Sequence, residues 1–363
     1  MQHIGNLTII ALVILNIVVW LVFPPVYDGD PNFLRKYAGE VIGSNNIVLM
    51  ACSLFVATRT KWAEKYFGGL DKMYITHRHT GTAALLLIFV HVLTVPISTT
   101  GWRLGNYLAV ISFAGIVSIV LVTLAPRIPF LNRLAGADYE DWKKLKRWIG
   151  IFFILGFFHS LTVDALDART AITWTMIFFI IGTVSYLYTE VFSGIFKKSL
   201  PYKVEAVKHP NNSSTEVTLR PKKEPIKKQR AGQFLFVRFP SDKALNQSHP
   251  FTISSAPAED VLRLTIKASG NFTRDLFAKL KEGADAVIEG AYGMFDYKTG
   301  GMKQIWIAGG IGVTPFLSFI RDMNGSLTHD VDFYYTVRHP EEALFLDEIK
   351  AVDERNPRLK TYV

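Results

Sequence analysis

Three histidines of this chain stand in apolar surroundings where an imidazole is costly unless it is used. His77 and His91 lie on the third long apolar run, 14 residues apart. At helical rise and rotation that places them about 21 Å apart on nearly one face. His159 lies in the fifth run, within GFFHSL. Polar side chains in such segments turn inward and mark functional positions. If the third and fifth helices run side by side in one direction, His91 and His159 meet at one depth, and a bis-histidine haem between them follows. Interhelical hydrogen bonding is the alternative for any one of the three. His79 reads as an interface residue, or as the ligand in place of His77.

The second half of the chain carries residues of a different chemistry. QIWIAGGIGVTPFLSFI is an apolar strand, a glycine turn with Gly309, Gly310 and Gly312, and a helix opened by Thr314 and Pro315. That sequence lets a dinucleotide approach the backbone at the carboxyl edge of a parallel sheet. The next strand, VDFYYTVRHP, ends on Thr336 and Arg338. A guanidinium there suits a 2′-phosphate and hence NADPH over NADH, with a solvated loop arginine as the other reading. KASGNFTRDLF sets Lys267, Gly270 and Thr273 at a turn that opens a helix, whose N–H groups suit a pyrophosphate. A threonine that merely caps its own helix fits the same residues. HPFTISSAP, residues 249–257, is a β run punctuated by prolines, which reads locally as an edge strand.

The elements that must position these residues differ between the halves. Up to residue 196 long apolar runs alternate with short charged stretches; from residue 197 strands and helices alternate as in a soluble protein. Runs at 7–23, 41–58, 80–97, 107–125, 148–163 and 171–196 approach the roughly 20 residues that a bilayer requires. The expectation is a six-helix transmembrane bundle. The first run has no Lys or Arg before it and no small-residue cleavage site, so it reads as a retained helix. Lys and Arg crowd the stretches joining runs two to three and four to five, which places these stretches, both termini and the soluble half in the cytoplasm. The net charge of +9 follows these flanks and shows no basic stripe with interleaved aromatics, which speaks against nucleic acid. The single cysteine, Cys52, excludes an intramolecular disulfide framework and a thiolate metal cluster. Between residues 197 and 300 the runs EVTLR, FLFVRF and VLRLTIKA predict a small antiparallel β-barrel; residues 301–363 predict an α/β nucleotide-binding domain.

With these residues in place, the chain resembles the ferric reductase and NADPH oxidase family. The resemblance covers nearly the whole chain. It implies two stacked b-type haems, each held by one histidine from span three and one from span five. His77 and His91 match the first pair, and His159 matches the outer ligand of the second. The inner ligand departs from the pattern: thirteen residues before His159 stands Lys146, and no histidine lies between His91 and His159. Lysine ligates iron only as the neutral amine, against an ordinary pKa of about 10.4. Either His77 holds the inner haem with a replacement ligand, or that level lacks a haem and the flavin reaches deeper. The resemblance further implies that His249, Pro250, Phe251 and Thr252 line the isoalloxazine of FAD, with Thr252 at the atom that receives hydride. The same resemblance gives the segment around Gly270 and Thr273 the FAD diphosphate.

The expected function is electron transfer from cytoplasmic NADPH or NADH, through FAD and one or two b-type haems, to oxygen or a ferric chelate across the plasma membrane. The alternative is a haem-binding membrane subunit that serves another oxidoreductase, against which the flavin and nicotinamide motifs argue. A transporter would call for repeat symmetry and broken helices, which the sequence lacks. The family's later cysteine-glycine motif and terminal aromatic are missing after Val363, so a truncated nucleotide-binding domain is expected.

Overall fold

The computed structural model describes residues 4–97, 101–124, 145–163, 166–192, 199–323 and 328–363. The chain divides into two compact units, Met1–Phe196 and Lys197–Val363.

The first unit is helical. α1 (Ile4–Val22) is almost wholly apolar and ends ahead of Pro24 and Pro25, since a residue before proline leaves the helical region. α2 (Phe33–Ala57) is followed by the short α3 (Lys61–Phe67), which stops at Gly68 in the left-handed region at φ 81°. α4 (Leu70–Thr94) ends where Val95, the residue before Pro96, is extended. α5 (Leu104–Leu124), α6 (Ile149–Thr162) and α7 (Arg169–Leu187) complete the unit, and α7 runs on into a π-helical turn, Tyr188–Phe192. α2 packs along α4 and α7, and α5 along α6, whereas α4 and α6 barely touch.

Four of these helices are long and apolar enough to cross a membrane: α1, α2, α5 and α7 with its extension. The expected six-span bundle is therefore met in part. α4 has the length but begins ten residues before the expected 80–97 run and carries Asp71, Lys72 and Arg78 in its first half, which lowers its hydropathy. α6 is apolar but spans only 14 described residues. The basic residues Arg127, Arg133, Lys143 and Lys144 used to orient the bundle lie outside the described residues.

The second unit begins with a six-stranded antiparallel sheet. Its strands are β1 (Leu200–Asn211), β2 (Ser214–Pro221), β3 (Phe234–Arg238), β4 (His249–Thr252), β5 (Leu262–Lys267) and β6 (Asp285–Tyr292), in the order β4-β3-β6-β1-β2-β5. The expected closed barrel is not formed by a continuous ladder. The edge strands β4 and β5 are joined not by a ladder but by an isolated bridge, Ile253 to Leu264, by the Ser254 N–H donated to Arg263 O and by bonds of the Ser254 and Ser255 hydroxyls. β4 is only four residues long, and its Pro250 lacks the N–H that a ladder residue donates. Val204, Val217, Leu235, Val237, Ile253, Leu264 and Ile288 form the core, closed by Leu276 of α8 (Asn271–Lys279).

A parallel three-stranded sheet follows: β7 (Lys303–Gly309), β8 (Asp330–Thr336) and β9 (Leu359–Tyr362), in that order. α9 (Thr314–Met323) and α10 (Leu346–Arg355) pack Leu317, Ile320 and Ile349 onto one face, against Trp306, Ala308, Phe333 and Tyr335. Strand alternation sends Ile305, Ile307 and Tyr334 to the other face, where they are exposed.

Candidate functional site

In the helical unit, α2 anchors both histidines of α4. His91 Nδ1 donates to Gly39 O at 2.8 Å, and His77 Nδ1 lies 3.0 Å from Ser53 O and 2.9 Å from Ser53 Oγ. Gly39 and Ser53 are 14 residues apart, as are His91 and His77. The two antiparallel helices thus repeat one contact two heptads apart. His159 makes the same kind of bond from α6: its Nδ1 donates to Gly105 O of α5 at 3.0 Å. A carbonyl can only accept, so in each ring Nδ1 carries the proton and Nε2 keeps a lone pair. Metal-binding histidines are held in this way, with one nitrogen fixed by a carbonyl and the other free to ligate.

The His91 and His159 ring centroids are 6.3 Å apart, at 79° to each other. Two imidazoles bound through Nε2 to one metal at about 2.0–2.1 Å place their centroids roughly 6.3 Å apart. The residues present therefore fit a bis-histidine iron, and the sparse contact between α4 and α6 suits a flat group between them. Glycine backs the His91 ring and the end of α6. A Cβ on Gly43 would stand 3.2 Å from the His91 ring, and one on Gly105 would stand 2.7 Å from Val163 N and Thr162 C. Among the described residues there is no cluster of three or more His, Cys, Asp or Glu that could hold a bare metal ion.

Among the described residues His77 has no such partner ring, and the charges of both Lys146 and Arg59 act on it. A cavity of about 130 Å³ opens beside His77, with Arg59, Met73 and Tyr74 in its wall and the Arg59 guanidinium 5.2 Å from the centre of the Tyr74 ring. His79 is an exposed residue of α4.

In the second unit, β4 is the sheet edge, with His249, Pro250, Phe251 and Thr252 paired to Val237, Phe236, Leu235 and Phe234 of β3. His249 lies over Phe272 at 3.9 Å between ring centroids, and Phe251 is near-parallel to Phe272 at 6.2 Å. This forms an aromatic shelf beside the first turn of α8. Thr273 Oγ1 accepts from Gly270 N at 2.9 Å and from Ser269 N at 3.0 Å. Its hydroxyl serves the helix cap, so any anion here meets the first-turn backbone N–H groups rather than that hydroxyl. Lys267 at the end of β5 pairs with Glu342 at 3.3 Å.

The glycine turn is a 3-10 segment, Gly310–Val313, between β7 and α9. Gly310 has φ 49°, in the left-handed region, and Gly309 precedes the turn as its cap. A Cβ on Gly310 or Gly312 would meet no protein atom within 4 Å. The lack of a side chain at Gly312 is thus not demanded by packing, which leaves close approach of a ligand as its physical reason. Thr314 is buried and donates to Ile311 O at 3.2 Å, and Pro315 sits in the first turn of α9, where its missing N–H costs nothing. Thr336 Oγ1 donates to Ala308 O at 3.1 Å, tying β8 to β7 at the turn. Arg338 is exposed just beyond β8, with no carboxylate paired to it among the described residues.

The residue pattern did not reveal what holds β4 to the nucleotide module. Ser318 Oγ donates to Ser255 O at 2.7 Å, and Arg321 Nη1 donates to Ser254 O at 2.8 Å. Arg321 also binds Glu348 of α10 through Nε and Nη2, at 2.6 and 2.7 Å. Both residues lie on α9, so the strand that carries Thr252 and the helix that starts at the glycine turn are fixed to each other. The available signal was a serine and an arginine three apart on the apolar face of a short helix.

Comparison with known proteins accords with this geometry. Residues 199–305 match the family described as FAD-binding domain, and residues 306–363 match the oxidoreductase NAD-binding domain. Residues 199–363 thus match flavin- and nicotinamide-binding domains of oxidoreductases. Its resemblance to NADPH oxidases and ferric reductases is borne out by relatives of both kinds. It is 31% identical to rat (Rattus norvegicus) NADPH oxidase 1 over 124 residues, 30% of this chain and 21% of that protein. It is 30% identical to Arabidopsis thaliana ferric reduction oxidase 4 over 148 residues, 36% of this chain and 21% of that protein. The chain thus spans about a fifth of the length of these relatives. Among solved structures it aligns with the ferredoxin-NADP+ reductase from Plasmodium falciparum at 19% identity and a TM-score of 0.40, over 45% of this chain and 69% of that one.

Proposed function

We propose that the chain carries electrons from cytoplasmic NADPH or NADH, through FAD, to a b-type haem held by His91 and His159, and on to oxygen or a ferric chelate across the plasma membrane. The observation that carries this reading is the His91–His159 pair. Its separation of 6.3 Å, with both Nδ1 atoms anchored on backbone carbonyls, leaves the Nε2 atoms of His91 and His159 as the groups that would hold a haem iron. A haem there supplies one-electron chemistry, and FAD supplies the conversion from hydride to single electrons.

The chain's own residues do the rest. The shelf of His249, Phe251 and Phe272 supports the isoalloxazine, with Thr252 at its reacting edge, while the first turn of α8 receives the diphosphate. Gly310 and Gly312 admit the nicotinamide dinucleotide to the end of β7, and Arg338 receives a 2′-phosphate, which favours NADPH. In the helical unit, α5 and α2 fix the tautomers of the ligating rings. Lys146 occupies the sequence position of a fourth histidine, thirteen residues before His159, so one haem per chain is proposed, with Lys146 contacting flavin or phosphate. The test is pyridine haemochrome quantification on protein of known FAD content, together with His159→Ala. One haem per FAD and loss of the low-spin spectrum in the variant are expected; two haems per FAD would overturn the single site, and an unchanged spectrum would overturn the ligand assignment.

A further inference from the structure

We infer that Glu40 of α2 is a redox-linked proton site: it takes up a proton from the side of the α1–α2 connection when an electron reaches the His91–His159 site. The inference rests on the haem reading above. Glu40 follows Gly39, whose carbonyl anchors His91, and its Oε1 accepts the backbone N–H of Leu166 at 2.7 Å, seven residues beyond His159. One carboxylate thus follows the anchor of His91 in α2 and holds the stretch that follows the His159 helix. Its Oε2 is buried and has no hydrogen-bond partner. A carboxylate oxygen left so is costly to bury as an anion and less costly to bury as the neutral acid.

One turn further along α2, Ser44 Oγ donates to Val41 O and accepts from Asn16 Nδ2 of α1, and Asn45 Nδ2 donates to the same carbonyl. Asn16 Oδ1 and Asn45 Oδ1 are buried and unpartnered, with Asn16 wholly inaccessible and Asn45 5% exposed. Beyond them Val48 and Ala51 are fully buried. The polar lane therefore runs from Glu40 toward the middle of α2, with Glu40 at the end nearest the α1–α2 connection.

The charged and titratable groups around Glu40 leave it as the responsive one. Lys36, one turn before it, is paired with Asp30 at 2.6 Å; Asp167 and Arg169 pair with each other at 3.4 Å in solvent; α1 presents only the neutral Asn16 and Trp20; and α4 presents His91 with Nδ1 committed to Gly39. An electron entering between His91 and His159 adds one negative charge to a low-dielectric region. Glu40 binds one proton from water, and the pair is neutral. When the electron passes to the acceptor, the carboxyl releases the proton to the same side.

The test is the pH dependence of the haem midpoint potential in the full chain reconstituted in nanodiscs, for wild type and Glu40→Gln. Glutamine keeps an acceptor for Leu166 N–H and cannot titrate. Wild type is expected to lose potential as pH rises, with a slope approaching ~59 mV per unit, a tenfold change for a one-electron couple. Glu40→Gln is expected to be nearly flat. A variant with the wild-type slope, or a flat wild type, overturns the inference; wild type without haem overturns instead the function on which it rests. If Glu40→Gln fails to incorporate haem, the redox infrared difference spectrum of wild type decides. A protonated-carboxyl band that appears on reduction and shifts in deuterium oxide supports Glu40, and its absence overturns the inference.

Discussion

His77, His91 and His159 share a device: each gives its Nδ1 proton to a carbonyl on a neighbouring helix, so the free nitrogen is the same in all three. Ligand-competent geometry therefore exists at three positions, but among the described residues only His91 and His159 face each other, with their ring centroids 6.3 Å apart. Replacing His91 or His159 by Ala should remove that low-spin haem, while His77→Ala should leave it in place; equal loss in all three variants would contradict this assignment. Gly312 offers a second test at this scale. A Cβ there meets no protein atom, so Gly312→Val should fold and retain FAD yet fail to accept hydride from NAD(P)H. Stopped-flow bleaching of the flavin at normal speed in that variant would contradict the placement. These positions were legible in the sequence because intramembrane histidines and a strand-glycine-helix turn are rare residues in costly places. Thr273 was legible as a motif only: its hydroxyl closes the helix cap, a local bond that spacing could not distinguish from ligand contact.

At the scale of elements, the positions of the ligands depend on neighbours of no chemical note. α2 holds α4 through Gly39 and Ser53, and α5 holds α6 through Gly105. A side chain at Gly105 would strike Thr162 and Val163 at 2.7 Å, so Gly105→Val should push α5 from α6, cost about 1–3 kcal/mol and displace His159. Reduced haem content with FAD unchanged is the expected result, measured spectrophotometrically. In the soluble unit, the α9 latch has the same standing. Arg321 is 6% exposed and bonded to Ser254 O and Glu348, so Arg321→Ala should destabilise the flavin module by about 2–3 kcal/mol, seen as earlier FAD release on heating. Such contacts were illegible in the sequence because they join backbone carbonyls to side chains far along the chain. Apolar runs located α1, α2, α5 and α7 but started the third span ten residues late, because the charges in the first half of α4 lower its hydropathy. The barrel was overstated because strand pattern does not reveal that β4 is too short to close the ladder.

For the whole molecule, a helical unit with one well-formed histidine pair is joined in one chain to an FAD- and NAD-binding unit. On the proposed reading, two-electron donation would enter the second unit, and a one-electron site would lie at His91 and His159 of the first. The most direct measurement is anaerobic addition of NADPH to the purified full chain, followed by optical spectroscopy, in wild type and His159→Ala. In wild type the flavin should bleach first and the sharp bands of a reduced low-spin b-type haem should follow; in His159→Ala the flavin should bleach and those bands should be missing. Bleaching without haem bands in wild type, or haem bands preserved in His159→Ala, would contradict the electron path through His91 and His159.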